Sequence, residues 1–313
     1  MVVGPCSIDE GDYGLKVAVF GNLTLDEILN KSEARVVPGG SALYVSAASA
    51  FLTAQVSLFS NIGQDYPVET LKWLRDQGVD VSAVQRVSGP STRLKLTYRN
   101  ASRELRILQP GTKIGYSLLT GHWKGAHFGP VCGEVGHRLI RGIRPHSDFV
   151  SLDIQGLIRM STRSGAVRLV PRRLDVLRIC DLVKASEEEA RAQTSANDPL
   201  KAAEALISQG AKNAIVTLGH KGAILALGNG RRFRVPAYPE NEVDDPTGAG
   251  DSFVGSWLPV FLSTRDSVWA ASVGSAFASM VLRRHGLSKF RLSREELFRR
   301  SAWVYGRVRT LGG

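Results

Sequence analysis

The stretch Asp245–Asp251 reads DPTGAGD and is followed by an apolar run, SFVGSWL, that ends at Leu258. Asp and Pro at its start are typical of a turn. Gly248 and Gly250 let the backbone turn tightly and let a ligand approach it closely. The apolar run predicts a helix that begins within the stretch, and the first amides of a helix lack intrahelical partners. Because the helix dipole is positive at that end, the stretch predicts a phosphate-binding turn.

Asp251 directly follows the last glycine of this turn. A carboxylate so close to a bound phosphoryl group repels it unless a proton or a hydroxyl group lies between them. This arrangement suits a general base that takes the proton of an attacking hydroxyl group. The alternative interpretation is a glycine-rich turn, capped by an aspartate, that binds no ligand.

The full heptad resembles the signature of the ribokinase family, also called the PfkB-type carbohydrate kinases, and weaker motifs extend the resemblance from about Lys16 to Gly286. The resemblance implies an α/β fold with three layers, α/β/α, a mostly parallel central sheet and a small β-sheet lid. The alternation of apolar strand-like runs with helices also indicates a mostly parallel sheet. We predict one kinase domain over residues 1–313, with lid strands from about 24–40 and 90–110.

The same resemblance implies ATP and Mg²⁺ as cofactors. It assigns Asp251 as the catalytic base, and it places the anion hole at the backbone amides of Gly248, Ala249 and Gly250. Glycine-rich backbone amides of this kind stabilise the charge on a transferring phosphoryl group.

Two motifs after the first predicted strand resemble the family's substrate side. Asp26 stands where the family has an aspartate that holds sugar hydroxyls, although a surface turn is the alternative. Gly39 and Gly40 precede a helix predicted over Ala42–Leu52, and they let a polyol approach the backbone. Tyr44 stands where the family commonly has Asn, which removes a usual sugar contact and gives a possible stacking face for a base.

The run VSLDIQGLIR at residues 150–159 contains two more candidate substrate residues, Asp153 and Gln155. They resemble the D-x-N of several sugar kinases, with Gln in place of Asn. Ligands of open α/β sheets bind beyond the carboxyl ends of the strands, where both residues would lie. Together with GPVCGE at residues 129–134, the run is similar to the branch of the family that includes inositol kinases.

Several residues resemble the family's nucleotide side. In the pattern T-L-G-x-x-G, Thr217, Gly219 and Gly222 would border the phosphates or ribose of ATP. Thr247 and Gly248 of the heptad join them, and Ser275 stands where the family often has an Asn near adenine.

A predicted strand over Leu177–Lys184 leads to Ser186 and Glu189. Glu189 matches the Glu of the family's N-x-x-E motif, which organises the magnesium ion through water, whereas Ser186 replaces the Asn. Ser186 and Glu189 also have the spacing of a capping box, which would by itself explain both residues.

Composition excludes several other classes. The chain of 313 residues is 43% hydrophobic, but none of its apolar runs has the length of a membrane span. The cysteines, Cys6, Cys132 and Cys180, lack metal-type spacing and predict a reduced, cytoplasmic protein. The net charge of +11 is spread without a block of five like charges, which argues against a nucleic-acid partner. The P-loop and dinucleotide-binding glycine patterns are missing from the sequence.

The sequence therefore predicts ATP-dependent phosphorylation of a hydroxyl group on a small sugar, polyol or nucleoside. Tyr44 and Gln155 remove contacts typical of ribose and fructose users, so we expect a cyclic polyol such as myo-inositol as the acceptor. A nucleoside kinase of the same family is the alternative, and a catalytically silent ligand- or nucleic-acid-binding protein is a further one. The half-polar lid strands need cover over their apolar face, so we also expect a homodimer formed through the lid.

Overall fold

The computed structural model describes residues 15–29, 34–52, 54–99, 102–115, 119–283 and 285–312. Its strands are β1 (Lys16–Phe20), β2 (Thr24–Leu29), β3 (Ala34–Gly39), β4 (Gln55–Ile62), β5 (Val79–Asp80), β6 (Val84–Arg86), β7 (Thr92–Arg99), β8 (Ser102–Gln109), β9 (Gly125–Phe128), β10 (Val150–Asp153), β11 (Arg159–Ser161), β12 (Val167–Leu169), β13 (Leu182–Ser186), β14 (Asn213–Thr217), β15 (Ala223–Leu227), β16 (Arg232–Val235) and β17 (Arg309–Thr310). Its helices are α1 (Ser41–Phe51), α2 (Val68–Asp76), α3 (His137–Gly142), α4 (Gln155–Ile158), α5 (Glu187–Thr194), α6 (Pro199–Ser208), α7 (Ala249–Thr264), α8 (Ser267–Val281) and α9 (Arg294–Tyr305).

Within the part of the chain that the structure describes, the central sheet has eleven strands in the order β17-β16-β15-β14-β13-β10-β9-β1-β4-β5, with β6 beside β4. From β14 through β13, β10, β9 and β1 to β4, neighbouring strands are parallel. Strands β15, β16 and β17 add an antiparallel edge. The predicted mostly parallel sheet is confirmed, and the carboxyl ends of its parallel strands lie at one edge.

Apolar cores cover both faces of this sheet, because successive side chains of a strand point to opposite faces. In β1, Val17 and Val19 belong to the core that holds residues of α1, α7, α8 and α9. Ala18 and Phe20 belong to the core that holds residues of α3, α5 and α6. The predicted three-layer α/β/α arrangement is therefore confirmed.

A second, four-stranded sheet has the order β3-β2-β7-β8 and is called the lid below. Strands β2 and β7 are parallel, and the outer strands pair antiparallel to them. Val36 on β3 and Leu108 on β8 are 56% and 44% exposed. Covering of the lid by a second copy of the chain stays a prediction.

The strand predicted over Leu177–Lys184 is wrong in its first half. Strand β13 begins at Leu182, and Asp175–Ile179 form a 3₁₀ turn instead. Val176 and Leu177 are fully buried in the same core as α6. A turn that packs against a core can bury a pair of apolar residues as well as a strand can. Hydrophobicity alone therefore did not distinguish the 3₁₀ turn from a strand.

In the described ranges, no helix combines the length and the apolar character that crossing a membrane requires. Cys132 and Cys180 are free thiols, and burial raises the pKa of each to about 12. Cys6 lies outside the described residues. The cytoplasmic setting and the lack of a nucleic-acid partner stay predictions.

Candidate active site

The heptad forms a turn that leads into α7. Gly248 is the residue before the helix and has the left-handed angles φ 78° and ψ 0°. The carboxylate of Asp245 closes the turn by accepting a hydrogen bond from the Thr247 amide at 2.9 Å. Among the described residues, no backbone carbonyl outside α7 accepts the amide hydrogens of Gly250 or Asp251. The turn thus leaves these two amides for an anion, and the amide of Gly248 likewise has no backbone acceptor among the described residues.

Ala249 differs from the prediction that its amide joins the anion hole. Its amide donates to the carbonyl of Pro246 at 3.3 Å, so the turn itself uses this hydrogen bond.

Two separate observations favour glycine at position 248. Its φ lies in the region that favours glycine, and a Cβ there would lie 2.4 Å from Cδ1 of Tyr44. Tyr44 comes from α1 and is 2% exposed. Burial, together with the carboxylates of Asp26 and Asp245, raises the pKa of Tyr44 well above its usual value, so the ring packs against the turn as a neutral phenol.

Two cavities meet at this turn. The larger, with a volume of about 600 Å³, is called the groove and extends from β13 and β14 to α7 and α8. The smaller, of about 50 Å³, is called the lid cavity and lies beneath leucines of β7 and β8. Gln155, Arg159, Gly248 and Asp251 line both cavities. The carboxylate of Asp251 therefore stands where a group in the groove and a group under the lid would meet.

The predicted substrate residues Asp26, Gly40 and Tyr44 line the lid cavity. Asp26 is 2% exposed and accepts a hydrogen bond from the Thr24 hydroxyl at 2.5 Å. Gly39 lies beside this carboxylate, since a Cβ there would be 2.1 Å from Oδ2 of Asp26. Gly40 has φ 95° and is the residue directly before α1. The paired glycines thus bring the Asp26 carboxylate and the start of α1 to one cavity.

Asp153 is the last residue of β10 and Gln155 follows two residues later, so both lie at the carboxyl end of the strand as predicted. Asp153 is fully buried, lines neither cavity, and accepts a hydrogen bond from Nζ of Lys184 at 2.6 Å. Gln155 lines both cavities, and its Nε2 donates to Oδ1 of Asp251 at 3.3 Å. Lys184 thus pairs with Asp153, and Gln155 contacts the Asp251 carboxylate. The predicted contact of Asp153 and Gln155 with a polyol stays a prediction.

Most predicted nucleotide residues line the groove, namely Thr217, Gly219, Gly222, Gly248 and Ser275. Gly222 has φ 89°, and a Cβ there would lie 2.0 Å from the carbonyl of Val235. The Ser275 hydroxyl donates to the carbonyl of Pro236 at 2.7 Å. Thr247 differs: it lines the lid cavity, where its hydroxyl is 2.7 Å from that of Tyr98.

Ser186 and Glu189 form the predicted capping box. Ser186 Oγ accepts from the Glu189 amide at 3.3 Å, and Oε2 of Glu189 accepts from the Ser186 amide at 2.9 Å. Burial would raise the pKa of Glu189, but Arg159 and Lys184 lower it, so the carboxylate stays charged on the groove wall. This fits a water-mediated role at Mg²⁺, which keeps several waters and takes one or two carboxylates beside substrate phosphates.

The sequence analysis missed two cations at the junction of the cavities. A Cβ on Gly250 would lie 3.2 Å from Nζ of Lys184, which places this ammonium beside the helix start. Burial opposes its charge, but the carboxylates of Asp153 and Asp251 raise the pKa of Lys184 above its usual value. The Arg159 side chain is 7% exposed and donates to Glu189 at 3.3 Å. Arg159 lies at the start of β11, and Lys184 lies in β13. Neither residue stands in a motif that could have identified it.

Ser41 was missed as well. It lines the lid cavity directly after Gly40, and its hydroxyl oxygen is buried without a hydrogen-bond partner among the described residues. A buried hydroxyl group left without a partner costs free energy, so this atom is suited to bind a polar group of a ligand. The only signal in the sequence was its position after two glycines.

Comparison with known proteins agrees with this geometry. The chain is 30% identical over 285 residues to the cytidine kinase of Thermococcus kodakarensis (strain ATCC BAA-918 / JCM 12380 / KOD1), and the match covers 87% of the chain and 98% of that kinase. A family model for the pfkB family carbohydrate kinases matches residues 158–293. The chain belongs to the pfkB family. Kinases of this family phosphorylate hydroxyl groups of sugars or nucleosides, and this protein is a kinase with an alcohol group as acceptor.

Solved structures give the same fold. A pyrophosphate-dependent kinase of the ribokinase family, in complex with a pyrophosphate analogue and myo-inositol, has a TM-score of 0.77 and 23% identity, and the match covers 90% of this chain and 99% of that one. Ribokinase from Thermotoga maritima has a TM-score of 0.70 and 20% identity, with coverage of 91% and 99%. The nucleoside kinase of Methanocaldococcus jannaschii has a TM-score of 0.70 and 16% identity, with coverage of 92% and 98%. The ribokinase-like fold of the chain is thereby confirmed.

The geometry at Gly248 predicts a difference between two glycine substitutions. Gly230 also has a positive φ, 90°, but a Cβ there would meet no atom within 4 Å. Both Gly248→Ala and Gly230→Ala should lose about 1–2 kcal/mol of unfolding free energy from backbone strain. Only Gly248→Ala also displaces Tyr44, so only it should lower kcat, by about 10²-fold or more for a shift of about 1 Å at the turn.

Thermal unfolding and steady-state kinetics of the two variants measure this difference. Gly248→Ala with the turnover of Gly230→Ala would contradict the packing argument.

Proposed function

We propose that this kinase transfers the terminal phosphoryl group of ATP to a hydroxyl group of a nucleoside, and that cytidine is the first acceptor to test. The observation that carries the proposal is the two-sided lining of the lid cavity, which at about 50 Å³ must widen to admit an acceptor. Leu94, Leu96 and Leu105 line it from the lid, whereas Asp26 and Ser41 offer a carboxylate and a free hydroxyl group. A nucleoside matches both sides, because its base has apolar faces and its ribose has hydroxyl groups. The 30% identity to a cytidine kinase supports the same class.

A cyclic polyol such as myo-inositol, which we expected from the sequence, is the second candidate. The polar side of the lid cavity, with Asp26 and the Ser41 hydroxyl, still favours it. The other support is weaker, because Asp153 binds Lys184 and Gln155 binds Asp251. A polyol would also place hydroxyl groups against the leucines of the cavity, where they would find no hydrogen-bond partner. Burying a hydroxyl group without such a partner is unfavourable.

The groove supports ATP as the phosphoryl donor. Its volume of about 600 Å³ lies within the range of small-molecule sites. Its walls include the apolar side chains of Ala237, Tyr238, Phe253, Ala278 and Leu282, which suit adenine. Pyrophosphate, the donor of the structural relative with myo-inositol, would leave these walls uncovered.

In the proposed mechanism, Asp251 accepts the proton of the acceptor hydroxyl as this oxygen attacks from the lid cavity. Gln155 holds the carboxylate in the required orientation. The amides of Gly250 and Asp251, with the Lys184 ammonium beside them, stabilise the charge on the phosphoryl group that arrives from the groove. Mg²⁺ bound to the donor phosphates would neutralise part of their charge, and Glu189 would hold one of its waters.

We further propose that residues 1–313 act as one kinase domain of which the lid is a part. Two contacts support this interpretation. Arg35 of β3 donates to Asp245 at 3.2 Å, and the Tyr98 hydroxyl of β7 lies 2.7 Å from that of Thr247. The lid therefore contacts the turn at which transfer would occur.

The role of Asp251 predicts a large effect of one isosteric substitution. Asp251→Asn should lower kcat by at least about 10²-fold, because an amide cannot accept the proton, and it should leave the dissociation constant of ATP nearly unchanged. Asp198→Asn is the matched control. Asp198 also stands at the start of a helix, where Asn caps as well as Asp.

Steady-state kinetics and calorimetric titration with ATP measure these values. Turnover of Asp251→Asn within a few-fold of the control would remove Asp251 from the role of base.

The lid cavity predicts the order of acceptors. With ATP as donor, kcat/KM for cytidine should exceed that for myo-inositol, ribose and fructose by at least about tenfold, the lower range for apolar discrimination. Leu96→Asn should reduce the cytidine value more than the myo-inositol value, because it removes apolar contact with the base.

Side-by-side assays of phosphorylated product, with ATP and then pyrophosphate as donor, test both assignments. A preference for myo-inositol would replace the nucleoside proposal by the second candidate, and equal use of pyrophosphate would contradict the ATP assignment.

A further inference from the structure

A lysine ammonium group lies directly beneath the phosphate-binding turn. Lys289 belongs to the 3₁₀ turn Gly286–Phe290, and its side chain is fully buried. Its Nζ donates to the backbone carbonyl of Asp245 at 2.6 Å and to that of Thr247 at 3.0 Å. It also lies 3.5 Å from Oδ2 of Asp245. One buried cation thus binds both ends of the segment that precedes the left-handed Gly248.

Burial of this charge is unfavourable in itself, since lysine is almost never fully buried unless it is paired. Burial lowers the pKa of Lys289 to about 8, although the Asp245 carboxylate opposes the shift. Arg35 and His285 approach the same carboxylate, at 3.2 Å and 3.8 Å. An apolar side chain in this space would leave the carbonyls of Asp245 and Thr247 without this donor, so the ammonium group does more than fill volume.

The hydrogen bond to the Thr247 carbonyl indicates what else the ammonium group does. Thr247 stands four residues before Asp251, so a carbonyl turned along the helix axis would accept the Asp251 amide as a normal helical hydrogen bond. Instead it accepts from Lys289, and among the described residues the Asp251 amide has no acceptor outside α7. The Thr247 carbonyl is therefore engaged by the ammonium group and not by the Asp251 amide.

We propose that Lys289 is a positioning residue for phosphoryl transfer, a tethered internal cation that holds the Asp245 and Thr247 carbonyls and keeps the amides of Gly250 and Asp251 open to the phosphoryl group. This inference rests on the proposed role of the turn. Two carbonyl oxygens and a carboxylate oxygen also form a ligand set that suits a free monovalent cation, because carbonyl oxygens can replace its hydration shell. A cation from solution should therefore replace the ammonium group where space is left for it.

Two substitutions of Lys289 separate its charge from its volume. Lys289→Ala leaves a hole beside the carbonyls, whereas Lys289→Met fills most of it with a neutral side chain. Both should lower kcat by at least about 10²-fold, the effect of misplacing a transition-state donor, and should change KM for the acceptor only a few-fold. Ammonium or potassium ions should then raise kcat of Lys289→Ala by at least about tenfold and should not restore Lys289→Met.

The matched controls use the same assays. Lys212→Ala removes an exposed lysine that pairs with Asp181 away from the turn, and it should retain the wild-type kcat. Circular dichroism and thermal unfolding in each salt establish that the variants are folded. Wild-type kcat should be the same in potassium, ammonium, sodium and choline salts, because the tethered ammonium group already supplies the cation.

Several results would overturn the inference. Wild-type kcat in Lys289→Met, or a folded Lys289→Ala that ammonium and potassium ions do not restore, would reduce Lys289 to packing. If the variants do not fold, a wild-type kcat that requires potassium ions would contradict the inference directly. Asp251→Asn, assayed in parallel, separates the two levels: normal turnover of that variant removes the proposed site itself, whereas an inert Asp251→Asn beside an active Lys289→Met removes the role of Lys289 alone.

Discussion

The left-handed backbone at Gly248 is the constraint on which the site depends. It turns the chain from the Asp245 segment into α7, so that the amides of Gly250 and Asp251 stand at the junction of two cavities. Helix α7 cannot shift to relax the left-handed backbone at Gly248, because α7 packs closely on α1. A Cβ at Gly255 of α7 would lie 2.7 Å from Cα of Val45. The Ser49 hydroxyl of α1 also donates to the Gly255 carbonyl at 2.7 Å.

Charges at the junction are arranged so that each one stabilises another. Lys184 donates to Asp153, so neither of these buried charges is unpaired. The Lys184 ammonium group also lies beside the start of α7. Arg159 binds Glu189 and reaches both cavities. Buried ion pairs are costly to form and more costly to break. Their presence at the meeting point of the cavities therefore agrees with a site that binds a highly charged phosphoryl group rather than with a purely structural core.

Local patterns predicted the parts of this structure that local chemistry determines. The DPTGAGD turn, the paired glycines before α1 and the capping box at Ser186 each depend on neighbouring residues, and each forms as predicted. Contacts between distant residues were not predictable in this way. Lys184 reaches Asp153 over 31 positions, and Lys289 reaches Thr247 over 42. A single lysine in a sequence carries no sign of such a partner.

The sequence also did not show which side of a turn a side chain faces. Thr247 lies one residue from Gly248, yet it contacts the lid rather than the groove, because the Tyr98 hydroxyl takes its hydroxyl group. Motif spacing placed Asp153 near the carboxyl end of its strand correctly. It did not show that the carboxylate lies beneath the cavities, since the alternation of a strand gives a face but not a partner.

The central claim is that a phosphoryl group passes from the groove to the lid cavity over the amides of Gly250 and Asp251. A crystal structure with ADP, Mg²⁺, aluminium fluoride and cytidine tests it most directly, because the fluoride complex imitates the transferring group. We expect the fluoride atoms to accept hydrogen bonds from these two amides, with ADP in the groove and an acceptor hydroxyl group against the Asp251 carboxylate. A fluoride complex bound away from the turn, or an acceptor whose hydroxyl groups do not reach Asp251, would contradict it.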